Sequence, residues 1–272
     1  MLRRAPPAPL APFIECLWFA EREALPHTRE RGLPTGCADI VIPLLPRQHI
    51  LRYDSESAAV PRRLRGGVLQ GPHDRVSVRG TEGPSAVIGV HFRPGGAAAW
   101  FGGALPELRN RTLPLDELWG CAASTLRDEL QNAGTPQAAL QRLESHLLRR
   151  LHRAPSADTM VLQAIGALQR DPTRALIDPV QRASGCTPAQ FIGRFERAVG
   201  LTPKRYARVL RFHSMLPVLV RAGPRDWAQI AVAAGYFDQS HLIHEFRRLS
   251  GLTPGAYRPV QPDQPTHVAI AS

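Results

Sequence analysis

The stretch "IAVAAGYFDQSHLIHEFRRLSGLTPGAYR", Ile230 to Arg258, decides the reading of this chain, because its closing motif has already occurred once. From Phe195 to Tyr206 the sequence runs "FERAVGLTPKRY", and Phe195 and Phe246 stand 51 positions apart. The same offset lays Gly200 on Gly251, Leu201 on Leu252, Thr202 on Thr253, Pro203 on Pro254 and Tyr206 on Tyr257. A repeat that keeps a glycine, a proline and two aromatic positions in register is a duplicated structural unit.

In the second copy, Trp227 to Ala234 is apolar at helical spacing and Gly235 stops that helix. Asp238 then opens another helix, in which Leu242 and Phe246 face inward one turn apart. Two short helices around a glycine turn make a helix-turn-helix, whose second member is the one that enters a DNA major groove. The first copy repeats the plan. Asp178 is expected to cap with Pro179 at the first helical position, Gly185 makes the turn, and "TPAQ" reads as a capping box with Thr187 as N-cap, Pro188 at N1 and Gln190 three residues on. Its inward pair is Phe191 and Phe195. Between the copies, Pro203 to Val220 is a helical connector with Val209, Phe212 and Leu216 on one face, and Pro217 is expected to end or kink it. Two unrelated helical hairpins that happen to pack alike are the bland alternative; caps, turns and aromatic pairs recurring in register argue against it.

The stretches "ASGCTPAQFIGRFERAVGLTPKRYARVLRF" and "AAGYFDQSHLIHEFRRLSGLTPGAYR" together resemble the DNA-binding module of the AraC/XylS family of bacterial transcription regulators. That resemblance implies seven helices, with a long one holding two helix-turn-helix units so that both recognition helices reach successive major grooves of double-stranded DNA. It places the candidate DNA-binding residues at Thr187, Ala189, Gln190, Ile192, Gly193, Arg194 and Arg197 in the first copy, and at Gln239, Ser240, His241, His244, Arg247 and Arg248 in the second. On a helical wheel set by the inward pairs, Ala189, Gly193 and Glu196 centre the outer face of the first recognition helix, and Ser240, His244 and Arg247 that of the second. Family members commonly carry a base-contacting arginine two residues before the second aromatic; this sequence has Gly193 and His244 there. RNA polymerase, a small-molecule effector of unassigned identity and a second copy of the chain are the further partners the resemblance suggests. In the N-terminal half, "LPTGCADIVIPL", "VHFRPGGAAAWFG" and "LPLDELWG" are similar to an accessory domain of some family members whose effector is generally unknown.

Composition agrees with this organisation. The chain has 272 residues, room for two domains, with 43% hydrophobic and 21% charged residues, the profile of a globular protein. Its net charge is +11, and Lys204 is its one lysine. Arginine dominance follows from GC-rich coding as readily as from selection for phosphate contacts, so the charge permits a polyanionic partner without naming one. Residues 154–258 carry 14 basic and 7 acidic side chains against 20 and 15 in residues 1–153, so the surplus is denser in the duplicated part.

The expected architecture is an α+β N-terminal domain (residues 1–153) with a small β-sheet and packed helices, for sensing or dimerisation. An all-α tandem helix-turn-helix domain follows (154–258), then a flexible tail (259–272). Strand-like runs stand at Ala38 to Leu45, Val76 to Gly80 and Ser85 to Phe92; helical patterns start at Leu115 and at Pro136, the second with a stripe of Leu140, Leu143, Leu147 and Leu151 suited to a core or a dimer face. Cys16, Cys37, Cys121 and Cys186 form no C-x-x-C pair, which points to a reducing cytoplasm and away from zinc or a disulfide framework. Prolines and Glu15 interrupt the apolar run after Arg3 and Arg4, so a secretory signal is not expected, nor is a membrane span.

No enzyme activity, cofactor or metal is expected. His241 and His244 lack Cys or carboxylate partners at ligand spacing. "RPGGAAAWFGG" is a turn into a helix rather than a phosphate cradle. His27, Cys37 and Asp39 could assemble into a thiol-reactive or catalytic site, although Cys37 in "PTGCADIV" suits a small buried residue at the mouth of a strand. A helical interaction module that holds DNA only non-specifically is the third reading.

Overall fold

The computed structural model describes residues 1–102, 105–151, 158–174, 176–220 and 226–270. The expected boundary at residue 154 lies outside the described residues. The N-terminal half is built on two facing antiparallel sheets. The first takes β1 (Leu2–Arg4), β2 (Ile14–Arg22), β9 (Ser85–Phe92), β4 (Asp39–Pro43), β7 (Val68–Gln70) and β10 (Thr112–Pro114), in that spatial order. The second takes β11 (His267–Ala269), β3 (Arg29–Gly32), β8 (Ser77–Gly80), β5 (His49–Tyr53) and β6 (Arg62–Arg65). The three strand-like runs read from sequence became β4, β8 and β9. The sheet structure is larger than those runs because its other strands are short or carry charge on both faces, as "RERG" of β3 and "RRLR" of β6 do.

Strand alternation decides what each face of the first sheet buries. Leu17, Ile40, Ile42, Leu69, Ile88 and Val90 point one way, into a core shared with Leu126 and Leu130 of α4 (Cys121–Gln131) and Leu140, Leu143 and Leu147 of α5 (Pro136–Arg150). The leucine stripe is thus spent on the core. Asp39, His91 and Gln70 are cross-strand neighbours on the opposite face. Gln70 there accepts a hydrogen bond from Arg52 of the second sheet at 3.3 Å. The helix expected from Leu115 is broken. Gly120, at φ 60°, separates α3 (Leu115–Trp119) from α4, a conformation that L side chains rarely adopt. Two short helices precede these, α1 (Ala98–Phe101) and α2 (Leu105–Leu108), the first realising the expected turn into a helix.

The C-terminal half is helical: α6 (Thr159–Arg170), α7 (Ile177–Ala183), α8 (Pro188–Val199), α9 (Pro203–Val220), α10 (Trp227–Ala233) and α11 (Gln239–Ser250). The seventh element of the resemblance is a single 3-10 turn, Pro254–Ala256. Two other expectations are corrected. Helix α7 starts two residues early, with Leu176 at the N-cap, which leaves Asp178 in the first turn to favour the helix dipole. Pro217 does not end α9, which runs on to Val220.

The tail beyond Pro259, expected to be loose, is held. Residues 267–269 pair with residues 30–32 as β11 on β3, Tyr257 donates to the carbonyl of Pro265 at 2.7 Å, and Val268 is buried with the second helix-turn-helix core. The two halves meet elsewhere as well. Arg205 of α9 binds Asp74 at 2.7 Å, Arg109 binds Glu196 of α8 at 3.1 Å, and His213 meets the carbonyl oxygen of Pro34 at 2.6 Å.

Candidate nucleic-acid interface

The duplication seen in sequence is a duplication of geometry. Helices α8 and α11 are each twelve residues long, and their limits differ by the same offset of 51. Thr187 caps α8 by accepting from Gln190 N–H, and Asp238 caps α11 by accepting from His241 N–H. Gly200 and Gly251 close them in the left-handed region, at φ 83° and 74°. Phe191 and Phe195 in one copy, and Leu242 and Phe246 in the other, are fully buried against α9, where Phe195 meets Tyr206 and Phe212 meets Phe246 at 5.8 and 5.1 Å between ring centres. One helix therefore anchors both recognition helices through aromatic contacts.

What remains outside is the candidate interface. Thr187, Ala189, Gln190, Ile192, Arg194 and Arg197 are exposed on α8 and Gly193 is half-buried; Gln239, Ser240, His241, His244, Arg247 and Arg248 are exposed on α11. Exposure does not make them equivalent. Thr187 and Gln190 form the expected capping box, so Thr187 Oγ1 and Gln190 Oε1 are occupied and the Gln190 amide NH2 stays free. Arg194 turns away, with Nε and Nη2 donating to the Asp158 carboxylate at 2.9 and 2.7 Å and Nη1 to Cys186 Sγ at 3.4 Å. Burial pushes the Asp158 carboxyl up, but Arg194 and the N–H groups of Met160 and Val161 outweigh it and hold Asp158 below its ordinary value. His241 accepts from Phe237 N–H through Nδ1 and lies edge-on to Tyr236. The side chains of Arg197, Gln239, Ser240, His244, Arg247 and Arg248 carry no hydrogen bond or ion pair within the described residues.

Glu196 corrects the helical wheel. Its bond to Arg109 turns it toward the N-terminal domain, so the outer line of α8 is Ala189, Gly193 and Arg197, and the matching line of α11 is Ser240, His244 and Arg248. Around the first line lies a shallow depression of about 290 Å3, lined by Cys186, Ala189, Gln190, Gly193, Arg194 and Arg197. The helix braces were not visible in sequence: where α8 has Arg194 bound to Asp158, α11 has Glu245 gripped by Arg208 of α9 through two bonds of 2.7 Å. These charges are paired across 36 and 37 residues, so their partners exist only once the helices pack.

The proposed thiol cluster is rearranged. His27 binds Glu30 at 2.8 Å and does not join Cys37. The imidazole beside Cys37 is that of His91, whose Nδ1 lies 2.6 Å from Asp39; the Asp39 charge pushes His91 up to about 12 against burial. Cys37 is 7% exposed and lies just before β4, as a buried residue at a strand mouth. Among the described residues no group of three or more His, Cys, Asp or Glu is placed to hold a metal.

Two short helices on a shared aromatic anchor, repeated once, with capped recognition helices and free basic side chains outside, define a tandem helix-turn-helix DNA-binding module. Residues 180–259 match the helix-turn-helix domain family, and residues 2–114 match a family described as a domain of unknown function, DUF6597. An AraC-like transcription regulator of Streptomyces antibioticus is 32% identical over 124 residues, which is 42% of this chain and 41% of that protein. The HTH-type transcriptional regulator MtrA of Neisseria gonorrhoeae is 28% identical over 82 residues, 30% of this chain and 27% of MtrA. The chain thus spans less than half the length of these relatives. Among solved structures, ToxT from Vibrio cholerae aligns over 89% of this chain and 96% of its own, at 12% identity and a TM-score of 0.47. Residues 180–259 thus form a helix-turn-helix domain, and over part of its length the chain is similar to AraC-like transcription regulators. No helix among the described residues is long and apolar enough to cross a membrane.

Proposed function

We propose that this chain regulates transcription by sequence-specific binding to double-stranded DNA, laying α8 and α11 into successive major grooves on one face of the duplex. The observation that carries the reading is the register of the two helices: buried aromatics fix both on α9, and the same three positions of each lie on the outer face, exposed save for half-buried Gly193. The two helices do not read alike. Ser240, His244 and Arg248 present hydrogen-bonding groups along α11, whereas α8 presents Ala189 and Gly193 before Arg197. Base edges in the major groove are told apart mainly by hydrogen bonds, with thymine methyls open to apolar contact. The second copy therefore supplies most of the base discrimination, and the first anchors, reads shape and touches methyl groups through Ala189 and Ile192. The N-terminal domain serves sensing or self-association, and RNA polymerase is the partner through which bound regulator acts.

Selecting binders from random double-stranded DNA with the full-length chain tests this at once for specificity and site length. The expected product is two short elements about one helical turn, ~10 base pairs, apart, the one under α11 better defined. Uniform recovery of all sequences would leave only a non-specific polyanion binder. Affinity should fall with salt at a log-log slope near −5 for about 6 neutralised phosphates.

A second reading has one observation in its favour: His91, charged by Asp39, stands beside Cys37 and suits activation of a thiol. Mild alkylation followed by mass spectrometry separates the two. A merely buried Cys37 labels after exposed Cys121, while a reactive one labels before it.

A further inference from the structure

We infer that the N-terminal domain holds a binding site for a small organic oxyanion, a carboxylate or phosphate compound, in the bowl between the β4–β5 turn, the β6–β7 turn and helix α4. The bowl measures about 470 Å3, within the range of small-molecule sites. Arg47, Arg65, Arg127 and His49 line it, and no carboxylate does. Several arginines of the same half do meet an acid: Arg4 binds Glu144 at 2.9 Å, Arg31 binds Glu56 at 2.5 Å, Arg79 binds Glu30 and Arg109 binds Glu196.

Around the bowl the answering charge is missing. The side chains of Arg47 and Arg65 make no hydrogen bond or ion pair among the described residues. Arg127 has a single loose carboxylate, Asp128 at 3.6 Å from Nη2, and its Nε is buried without a partner. A concavity lined by one sign of charge also concentrates counter-ions, and guanidinium groups match carboxylate and phosphate oxygens in pairs.

The site is built before any ligand arrives. Gln48 Oε1 accepts from Leu45 N–H at 3.2 Å and Ala86 N–H at 3.4 Å, which pins the turn that carries Arg47 and His49. Arg47 itself sits at φ 59°, in the left-handed region that few residues other than glycine adopt. Gly66, at φ 73°, keeps the β6–β7 turn tight beside Arg127: a β-carbon there would lie 3.7 Å from Nη1. Strand register sets His49 opposite Arg65. Backbone, not chance side-chain posture, converges these groups.

The test is calorimetric titration of the full-length chain, without DNA, with citrate and separately with inorganic phosphate, against sodium chloride of matched ionic strength. We expect saturable one-site binding of at least one of the two, the tighter arm telling carboxylate from phosphate. The Arg65→Gln/Arg127→Gln double variant should bind about ten-fold more weakly or worse, roughly 1.4 kcal/mol. Arg197→Gln/Arg248→Gln, which removes free cations from the recognition helices, should bind as the parent does. Should the first variant fail to fold, Arg47→Gln at an exposed position gives the readout, with a loss of about three-fold or more. Heats no larger than those of chloride, or binding lost only in the recognition-helix variant, would overturn the site. Because DNA is absent, this result stands or falls apart from the DNA-binding reading.

Discussion

The two helix-turn-helix units share a frame and differ in everything that frame leaves free. Both recognition helices are capped, closed by a left-handed glycine and buried through two large side chains against α9. At matching positions outside, Ala189 stands for Ser240, Gly193 for His244, and Arg194 for Glu245. Interior packing tolerates little change in volume, whereas exposed positions answer only to what they touch. After duplication the shared residues record the fold, and the unshared ones record what each copy meets.

The largest effect should come from the shared part. Phe195→Ala and Phe246→Ala each remove a fully buried ring and should each cost about 3–5 kcal/mol in a denaturant titration. A clearly smaller loss in one copy would mean that the two frames are not energetically alike.

Next in size is the difference in base readout. On the selected site Ser240→Ala and His244→Ala should each weaken binding by about 1–3 kcal/mol and relax preference at one or two base pairs. Gln190→Ala should cost binding less, since its Oε1 already serves the helix end. Binding of each variant to singly substituted duplexes at one salt concentration decides it; greater loss of discrimination from Gln190→Ala would reverse the assignment of the copies.

The braces come third. The Arg208–Glu245 pair is half-buried, with side chains 20% and 12% exposed, and Arg194–Asp158 is more open at 42% and 27%. Glu245→Gln should therefore destabilise by about 1–2 kcal/mol and Asp158→Asn by less than about 1 kcal/mol, Asn remaining a good N-cap. Equal costs would show that solvent screening does not separate the two pairs.

The smallest effect is one of pH. Asp158 titrates below its ordinary 3.8 in the folded chain, so its contribution is in place above that value and is lost as pH falls through the depressed one. The stability gap between the parent chain and Asp158→Asn should be flat from about pH 7 to about pH 5 and close below about pH 4. A gap that persists in stronger acid would remove the carboxylate from the account.

The helical half was readable because its signals are local. Thr187 with Gln190, Asp238, Gly185 and the 51-residue offset each act within one turn or one repeat, so sequence alone locates them. The misplaced features depend on distant groups. Glu196 leaves the outer face because Arg109 waits across the domain boundary, and Arg194 is spent on Asp158. In the N-terminal half, β3 and β6 hide behind arginines and a glutamate whose burial is made possible by partners such as Arg79 for Glu30. Periodicity cannot report a charge that is buried in company. Helix α3 was merged with α4 for a simpler reason, Gly120 within an otherwise helical pattern.

Strand β11 sets an order on folding during synthesis. It joins residue 32 to residue 267, so the outer edge of the second sheet stays uncovered while α6 through α11 are still being made. Contacts between such distant parts of a chain form late and slow the search. A nascent chain therefore carries an open strand edge, the kind that pairs with foreign strands, until its helices have emerged and returned Val268 to β3. Any arrest or cleavage between the halves would release a fragment that is folded in outline and prone to stick.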